Sequence, residues 1–247
     1  MKVEMKVGNK VENQAQSELV TTNLGEIDFL EAWEIQRKLH AEVTEGKISN
    51  QLILCTHPSV YTAGRRTSIE ERPIDGTPVI DVDRGGKITW HGPGQIVGYP
   101  IVALAKRNDV VGYVRTVERA IIATLKRFEL DTTCYPGRTG VWFRDENNPS
   151  LDRKISAIGV RTARGVTMHG FALNVSPDLN AFQKILPCGF SDTGVTSMSQ
   201  ELGRTISVEE VLPILEVEVR NELQPIICSP AHAKEERESQ YVFSTNS

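Results

Sequence analysis

The feature that most constrains the fold is a succession of short, β-branched segments, several of which follow one another with no helical stretch between them. These segments are QLILCT, PVIDVD, KITWHG, QIVGYPIV, TGVWF, KISAIGVR and VTMHGFALNV, and they are bounded by glycine, proline or aspartate residues. A parallel pair of strands needs a long crossover, so strands joined by short connections pair antiparallel. We therefore expect an α+β fold, with mixed or antiparallel sheets and packed helices, rather than alternating βαβ units.

Three other segments have the 3.6-residue apolar period of amphipathic helices. The first spans residues 28–46, where Asp28 can cap the N-terminus and a glycine marks the end. The second spans residues 110–128 and has the clearest period. The third begins around Ser207 and runs toward residue 223. Pro213 lies too deep for a first turn, so we expect a kink or a later start there.

Composition and patterning predict one domain. The chain has 247 residues, of which 39% are hydrophobic and 24% charged, and it contains no internal repeat or low-complexity linker. We expect a single domain over residues 18–228, between polar, aperiodic and disordered tails at residues 1–17 and 229–247. No apolar run approaches the roughly 20 residues of a membrane span, and the first residues do not resemble a secretory signal. We therefore expect a cytoplasmic protein with no membrane contact, and nothing in the pattern demands more than a monomer.

The charge pattern argues against one class of partner and favours another. The net charge of −4 disfavours nucleic-acid binding, which needs a concentrated basic surface. The arginines and lysines nevertheless gather at Arg65, Arg66, Arg84, Lys87, Arg153, Lys154, Arg161 and Arg164. A basic patch on an acidic protein suggests one anionic partner, although a solvated charged face is the more common explanation.

One of the four cysteines stands in an unusual place. The cysteines are Cys55, Cys134, Cys188 and Cys228, with no metal-ligand spacing and no pattern of a disulfide framework. We expect four free thiols, no bound metal and no cofactor. Cys188 lies between a proline and a glycine, and such flanks form a turn that can aim a side chain. The alternative is an inert, buried cysteine, which is the more common kind.

Three glycine-marked segments offer partners for a reactive thiol, and they are DRGGKITWHGPGQIVGYP (83–100), DRKISAIGVR (152–161) and MHGFALNV (168–175). A cysteine nucleophile needs its thiolate form, which a nearby cation or base favours; the segments supply His91, Lys154 and His169. The bare backbone of the first segment would let a ligand approach closely. The alternatives are that the glycines only form turns of the fold, that the lysine is solvated and that the histidines are structural.

Standard nucleotide and hydrolase motifs are missing from the sequence. There is no G-x-x-x-x-G-K-[ST], H-E-x-x-H or G-x-S-x-G, and GPGQIVG fails the dinucleotide spacing and precedes a strand. A dinucleotide-binding fold is therefore excluded.

Taken together and in order, several segments resemble one family, the lipoyl(octanoyl) transferases, also called lipoate-protein ligase B. The segments are THPSVYTAGRRT, RGGKITWHGPGQIVGYP, DRKISAIGVR, HGFALNV and LPCGF, within about residues 20–225. THPSVYTAG departs slightly from the family's usual HPPVYTLG. The resemblance implies the catalytic-domain fold of biotin and lipoate protein ligases.

The resemblance also implies a reaction. An octanoyl group would pass from octanoyl-acyl carrier protein to a lysine on lipoyl domains of 2-oxoacid dehydrogenases and on the glycine cleavage H protein. By position, Cys188 is the acyl-thioester nucleophile and Lys154 is the residue that favours its thiolate. The acyl substrate site would be formed by Arg84, Gly85, Gly86, Lys87, Ile88, Thr89, Trp90, His91, Ala157, Ile158, Gly159, Gly170, Phe171 and Ala172.

Two other functions stay open. An ATP-dependent lipoate or biotin ligase would share the fold, but it activates the acid as an adenylate and needs no nucleophilic cysteine, so LPCGF argues against it. A non-catalytic acyl-binding module would use the same scaffold without forming an acyl-enzyme.

Overall fold

A computed structural model describes residues 17–135, 137–185 and 194–244. Its strands, in chain order, are β1 (Leu19–Glu26), β2 (Asn50–Thr56), β3 (Val60–Ala63), β4 (Val79–Asp81), β5 (Thr89–His91), β6 (Gln95–Ile101), β7 (Thr133–Tyr135), β8 (Arg138–Phe143), β9 (Arg153–Ala163), β10 (Val166–Asn174) and β11 (Gly194–Val195). Its α-helices are α1 (Phe29–Thr44), α2 (Val110–Lys126), α3 (Met198–Leu202), α4 (Val208–Leu223) and α5 (Pro230–Ser244).

Eight of the strands form one large sheet at the centre of the described residues. The strand order is β1-β2-β6-β10-β9-β8-β7, and β11 pairs with β9. From β2 through β7 all neighbours pair antiparallel, whereas β1 pairs with β2 and β11 pairs with β9 in parallel. A second sheet has the order β4-β3-β5. All seven segments predicted as strands are confirmed, and so is the α+β class.

Helices cover both faces of the large sheet, because successive residues of its strands point to opposite sides. On β2, Leu52 and Leu54 join the core cluster beneath α2 and α4. The intervening Ile53 and the following Cys55 join the cluster beneath α1 and α5. The central strands are therefore buried on both faces.

The predicted helix starts are confirmed by their caps. The carboxylate of Asp28 accepts from the backbone N–H of Leu30 at 2.8 Å and so begins α1. The hydroxyl of Ser207 accepts from the backbone N–H of Glu210 at 3.2 Å and so begins α4. A later start of α4 is therefore wrong, and Pro213 stands inside the helix. Its ring lies on the exposed side, where water can bond the carbonyl that lacks a helical donor.

The C-terminal segment differs from its prediction. Residues 229–247 were expected to be disordered, whereas Pro230–Ser244 is helical. The anchor is small: Ala233 is buried in the same core cluster as α1, and Gly46 lets the two helices approach because a Cβ there would lie 2.9 Å from Ala231 Cα. So few apolar contacts leave no period in the sequence. Of the tail expected at residues 1–17, only Ser17 lies within the described residues. None of the described helices is long and apolar enough to cross a membrane.

Candidate active site

A cavity of about 380 Å³ lies where β5, β6, β9 and β10 meet the loop before β5. The described candidate residues that line it are Arg84, Gly85, Gly86, Lys87, Ile88, Thr89, His91, Lys154, Ala157, Ile158, Gly159, Gly170, Phe171 and Ala172. Segments more than 80 positions apart in the chain therefore converge on one space.

Trp90 is the exception among the described candidates. Its indole packs edge-on against Phe182, with ring centroids 5.5 Å apart, and donates to the Ser59 hydroxyl at 2.9 Å. Thr89 and His91 face the cavity, so the residue between them on β5 points to the other side. Trp90 thus supports the cavity wall from behind.

Cys188 lies outside the described residues. The chain on either side of residues 186–193 is placed next to the cavity. Ile185 packs in the same apolar cluster as Ile88. On the other side, Val195 of β11 pairs with Lys154.

Lys154 is held in the cavity wall by its neighbours on β8. Its Nζ lies 4.5 Å from the centre of the Trp142 ring, and Lys154 itself is only 8% exposed. A Cβ on Gly140 would lie 3.3 Å from Lys154 Cε, so the missing side chain at Gly140 makes room for the lysine stem. Gly140 also has φ of +117°, a conformation that favours glycine. A predicted strand-end lysine, which could have been solvated, is buried here.

The arginine of the RGG loop is bound to backbone carbonyls. Arg84 Nη2 donates to the carbonyl and hydroxyl oxygens of Thr62, both at 2.9 Å, and Nη1 donates to Lys87 O at 2.8 Å. Gly85 N donates to Val160 O at 2.9 Å, which fastens the loop to β9. The glycines in this segment therefore serve close protein packing as well as an open backbone.

Strands β6 and β10 approach closely beside the cavity, which Gly170 lines. A Cβ on Gly170 would collide with the carbonyl oxygen of Gly98, and a Cβ on Gly98 would collide with the ring of Phe171. Glycine is therefore required at both positions by backbone and ring packing.

His91 is a neutral, buried imidazole at the cavity edge. Its Nδ1 lies 3.2 Å from Gln95 Oε1, and its ring stacks on Phe29 with centroids 6.2 Å apart and planes 8° apart. Burial, with smaller contributions from the nearby His57 and Arg84, lowers the pKa of His91 to about 3. The ring therefore carries no charge at neutral pH.

His169 is tied to an acid. Its Nε2 lies 2.7 Å from Asp83 Oδ1, and the same carboxylate pairs with Arg161. Burial lowers the pKa of His169 to about 4, although Asp83 opposes the shift. The residue has φ of +59°, and its backbone N–H donates to Gln36 Oε1 at 3.1 Å. These contacts favour a structural role for this candidate base.

Sequence reasoning missed the hydrogen-bonded pair of His57 and Tyr99 beside the cavity. His57 Nδ1 lies 2.7 Å from Ile27 O, which can only accept, so Nε2 accepts from the Tyr99 hydroxyl at 2.8 Å. Tyr99 lines the cavity. Cys55 lies beside this pair, and burial raises the pKa of its thiol to about 12, so it is unreactive. THPSVY and QIVGYP were the available signals, but their contact spans 42 positions.

Comparison with known proteins identifies the family. A family model described as the lipoyl protein ligase A/B catalytic domain matches residues 28–220. The chain belongs to this family.

Among relatives, an octanoyltransferase of Salinispora arenicola (strain CNS-205) is 53% identical over 201 residues, which cover 81% of this chain and 93% of that protein. An octanoyltransferase of Mycobacterium sp. (strain KMS) is 57% identical over 189 residues, which cover 76% and 78%. A solved bipartite lipoate protein ligase from Thermoplasma acidophilum shares the fold with a TM-score of 0.62, 16% identity and coverage of 84% of each chain. The lipoate-ligase-like fold is confirmed.

The predicted basic patch of this family member is largely neutralised. Arg84 and Lys154 are buried, and four other members pair with acids: Lys87 with Glu71, Arg153 with Glu201, Arg161 with Asp83 and Arg164 with Glu45. Arg65 and Arg66 are exposed, and Arg66 lines the cavity. Sequence reasoning missed Arg138 and Arg144, whose guanidinium carbons lie 4.8 and 4.7 Å from the centre of the Tyr135 ring. The exposed positive charge near the cavity therefore comes from fewer residues than the sequence pattern indicated.

Proposed function

We propose that this octanoyltransferase takes its acyl group from the thiol of an acyl carrier protein and carries it on Cys188 to a lysine amine. The chain is an acyltransferase of protein lipoylation, as its relatives are named octanoyltransferases. The observation that carries the proposal is the cavity itself. It joins four of the five segments of the resemblance around a buried lysine, and its volume of about 380 Å³ is in the range of small-molecule sites.

The described neighbours of residues 186–193 support Cys188 as the nucleophile. Ile185 contacts the cluster that contains Ile88, and Val195 pairs with Lys154; both partners line the cavity. Cys188 is six positions before Gly194 and three after Ile185. Three extended residues span at most about 10 Å, which supports a place for Cys188 beside the cavity.

In the first half-reaction, the Cys188 thiolate attacks the carbonyl carbon of the carrier thioester. The carrier's C–S bond breaks, and its thiolate leaves with the proton of the Lys154 ammonium, so Lys154 enters the second half-reaction as a neutral amine. Lys154, as ammonium, stabilises the attacking thiolate. One thioester replaces another, so the acyl group stays activated and no ATP is required.

In the second half-reaction, the acceptor lysine attacks as a neutral amine and forms the C–N bond. The bond to Cys188 breaks, the thiolate leaves, and Lys154 as neutral amine accepts the proton that the nitrogen loses. An amide is more stable than a thioester, which drives the transfer.

The family acts on lipoyl domains in general, and we propose specific partners for this chain. Octanoyl-acyl carrier protein is the donor, and lipoyl domains of 2-oxoacid dehydrogenases and the glycine cleavage H protein are the acceptors. Both kinds of protein are acidic, and Arg65, Arg66, Arg138 and Arg144 are suited to dock them in turn. A monomer in the cytoplasm is part of the same proposal.

Intact mass spectrometry tests the nucleophile. The protein is incubated with octanoyl carrier protein, and we expect a mass increase of one octanoyl group that is lost in Cys188→Ser. Cys134→Ser is the matched control, because Cys134 is a half-buried thiol whose pKa is raised by burial and by nearby Glu118. An adduct that persists in Cys188→Ser, or octanoyl-adenylate made from octanoate and ATP, would contradict the proposal.

A further inference from the structure

A chain of buried side-chain amides runs from the segment after β11 to the cavity wall. Asn174 Nδ2 donates to the carbonyl oxygen of Thr196 at 2.9 Å. Gln95 Nε2 donates to Asn174 Oδ1, also at 2.9 Å. Gln95 Oε1 then meets His91 Nδ1 at 3.2 Å. Gln95 and Asn174 are 1% and 4% exposed, so water does not compete for these bonds.

The direction of each hydrogen bond in this series is fixed by the backbone carbonyls that it contacts. A backbone carbonyl can only accept, so the group of Asn174 that meets Thr196 O must be the NH₂ and the group that meets Gln95 must be the oxygen. Gln95 Nε2 also lies 3.3 Å from Trp90 O, which demands a donor there as well. Gln95 therefore presents its oxygen to His91, and Nδ1 of His91 carries the hydrogen.

The second ring nitrogen of His91, Nε2, consequently carries a lone pair and no hydrogen. A neutral imidazole has one N–H and one acceptor, and the N–H is committed to Gln95. His91 lines the cavity, and stacking on Phe29 restricts rotation of its ring. Nε2 is thus the atom with which His91 can bond a ligand, and it can only accept.

The same chain also reaches Lys154. The backbone N–H of Thr196 donates to Lys154 O at 2.9 Å, while the carbonyl of Thr196 holds Asn174. Thr196, the residue after β11, therefore holds the backbone of Lys154 and, through the two side-chain amides, the tautomer of His91.

We propose that Gln95 and Asn174 are positioning residues that hold His91 as the Nδ1–H tautomer, so that Nε2 accepts a hydrogen bond from the acceptor lysine amine. This role rests on the proposed function. The reacting atoms of the carrier thioester carry no hydrogen that could be donated. An attacking amine bonds the carbonyl carbon through its lone pair and keeps two N–H groups. Nε2 takes a hydrogen bond from one of them and no proton; the other loses its proton to Lys154.

The tautomer is tested by ¹⁵N-detected NMR of the full chain with labelled histidine. We expect the Nδ1–H form of His91 in the wild type, a mixed or Nε2–H form in Gln95→Met, and the Nδ1–H form again in Gln95→Glu, whose carboxylate still accepts. Asn50→Leu removes another buried amide, which bonds Ala103 N at 2.7 Å, and should leave His91 unchanged. An Nε2–H signal for His91 in the wild type would overturn the proposal.

Single-turnover kinetics test the use of Nε2. Gln95→Met should slow transfer from the acyl-enzyme to a lipoyl domain about tenfold, the loss of roughly one hydrogen bond, and leave acylation by octanoyl carrier protein within about twofold. Gln95→Glu should restore transfer only in part, because its carboxyl group keeps an acceptor for His91 Nδ1 but lacks the NH₂ group that Asn174 Oδ1 and Trp90 O require. Equal slowing of both half-reactions would overturn the role of Nε2. A wild type that forms no acyl-enzyme would refute the proposed function instead, while the NMR result would still decide the tautomer.

Discussion

The ring of Trp142 faces the ammonium group of Lys154, with Nζ 4.5 Å from the ring centre, and Trp142 itself is 1% exposed. The pair is formed by directly opposed residues of β8 and β9. A cation over an indole face is attracted by about 1 kcal/mol or more when desolvated. The tryptophan therefore helps to keep the lysine inside the cavity wall.

Trp142→Leu should slow formation of the octanoyl-enzyme about fivefold, because the lysine loses this attraction. The time course of the intact mass measures the rate. Phe143→Leu is the matched control, since the neighbouring ring faces the more exposed Arg153 at 5.0 Å and should not affect acylation. Equal rates in wild type and Trp142→Leu would refute the positioning role.

Lys154→Arg separates the two functions assigned to Lys154. An arginine keeps the positive charge and cannot act as a base, so acylation of Cys188 should be partly retained while transfer to a lipoyl domain falls about 100-fold or more. Single-turnover rates of each half-reaction across pH measure the split. A pH profile of the second half-reaction that is unchanged in Lys154→Arg would count against the base role.

Gly140→Ala should lower the free energy of unfolding by several kcal/mol, since its Cβ would collide with Ser156 O at a φ of +117°. Gly203→Ala is the control for the backbone term, because Gly203 has φ of +64° and open space around it. We expect about 1 kcal/mol there. Denaturant unfolding measures both values, and similar losses would show that the contact at Gly140 is unimportant.

Stability should fall as the pH drops below the ordinary histidine pKa. In the folded protein the pKa values of His91 and His169 are lowered to about 3 and about 4, chiefly by burial. Between about pH 6.5 and these values the unfolded chain binds the protons and the folded chain does not, so acid favours unfolding. From pH 7 to pH 5 each histidine should cost about 2 kcal/mol.

Urea unfolding at the two pH values measures this loss. His91→Asn should reduce the pH dependence by about one proton. A pH dependence that is identical in wild type and His91→Asn would contradict the assigned protonation state.

The Michaelis constant for the carrier protein should rise with salt and with loss of Arg65. Arg65→Glu should raise KM about fivefold at low ionic strength and leave kcat unchanged, because a rim charge mainly attracts the partner. Arg204→Glu is the control, as Arg204 is also exposed and pairs with Glu210 at 3.2 Å. A KM that barely changes between low and high salt would refute docking by charge.

Local signals explain most of what could be predicted from the sequence. Asp28 and Ser207 cap helices through bonds to residues two or three positions ahead, and the strands alternate or run apolar as their burial requires. The opposite direction of Trp90 was also readable, because strand side chains alternate and its neighbours face the cavity.

What the sequence could not supply depends on distant contacts. The bond between His57 and Tyr99 spans 42 positions, and the amide pair of Gln95 and Asn174 spans 79. The pairing of charged residues is equally non-local: Arg161 meets Asp83 across 78 positions, so a cluster of arginines in the sequence became a set of ion pairs in the fold. Helix α5 was missed because one buried alanine leaves no periodic pattern.

The close packing at Gly170 has a consequence for engineering acyl-chain preference. Gly170 lines the cavity and cannot accept a larger side chain, because its Cβ would collide with the carbonyl oxygen of Gly98, so the cavity cannot be reshaped there. Helix α2 contributes Val110 and Val114 to the lining, and both are half-buried side chains. In designed variants of this enzyme, the preferred length of the acyl chain should therefore be changed by substitutions along one turn of α2, with the sheet left unchanged.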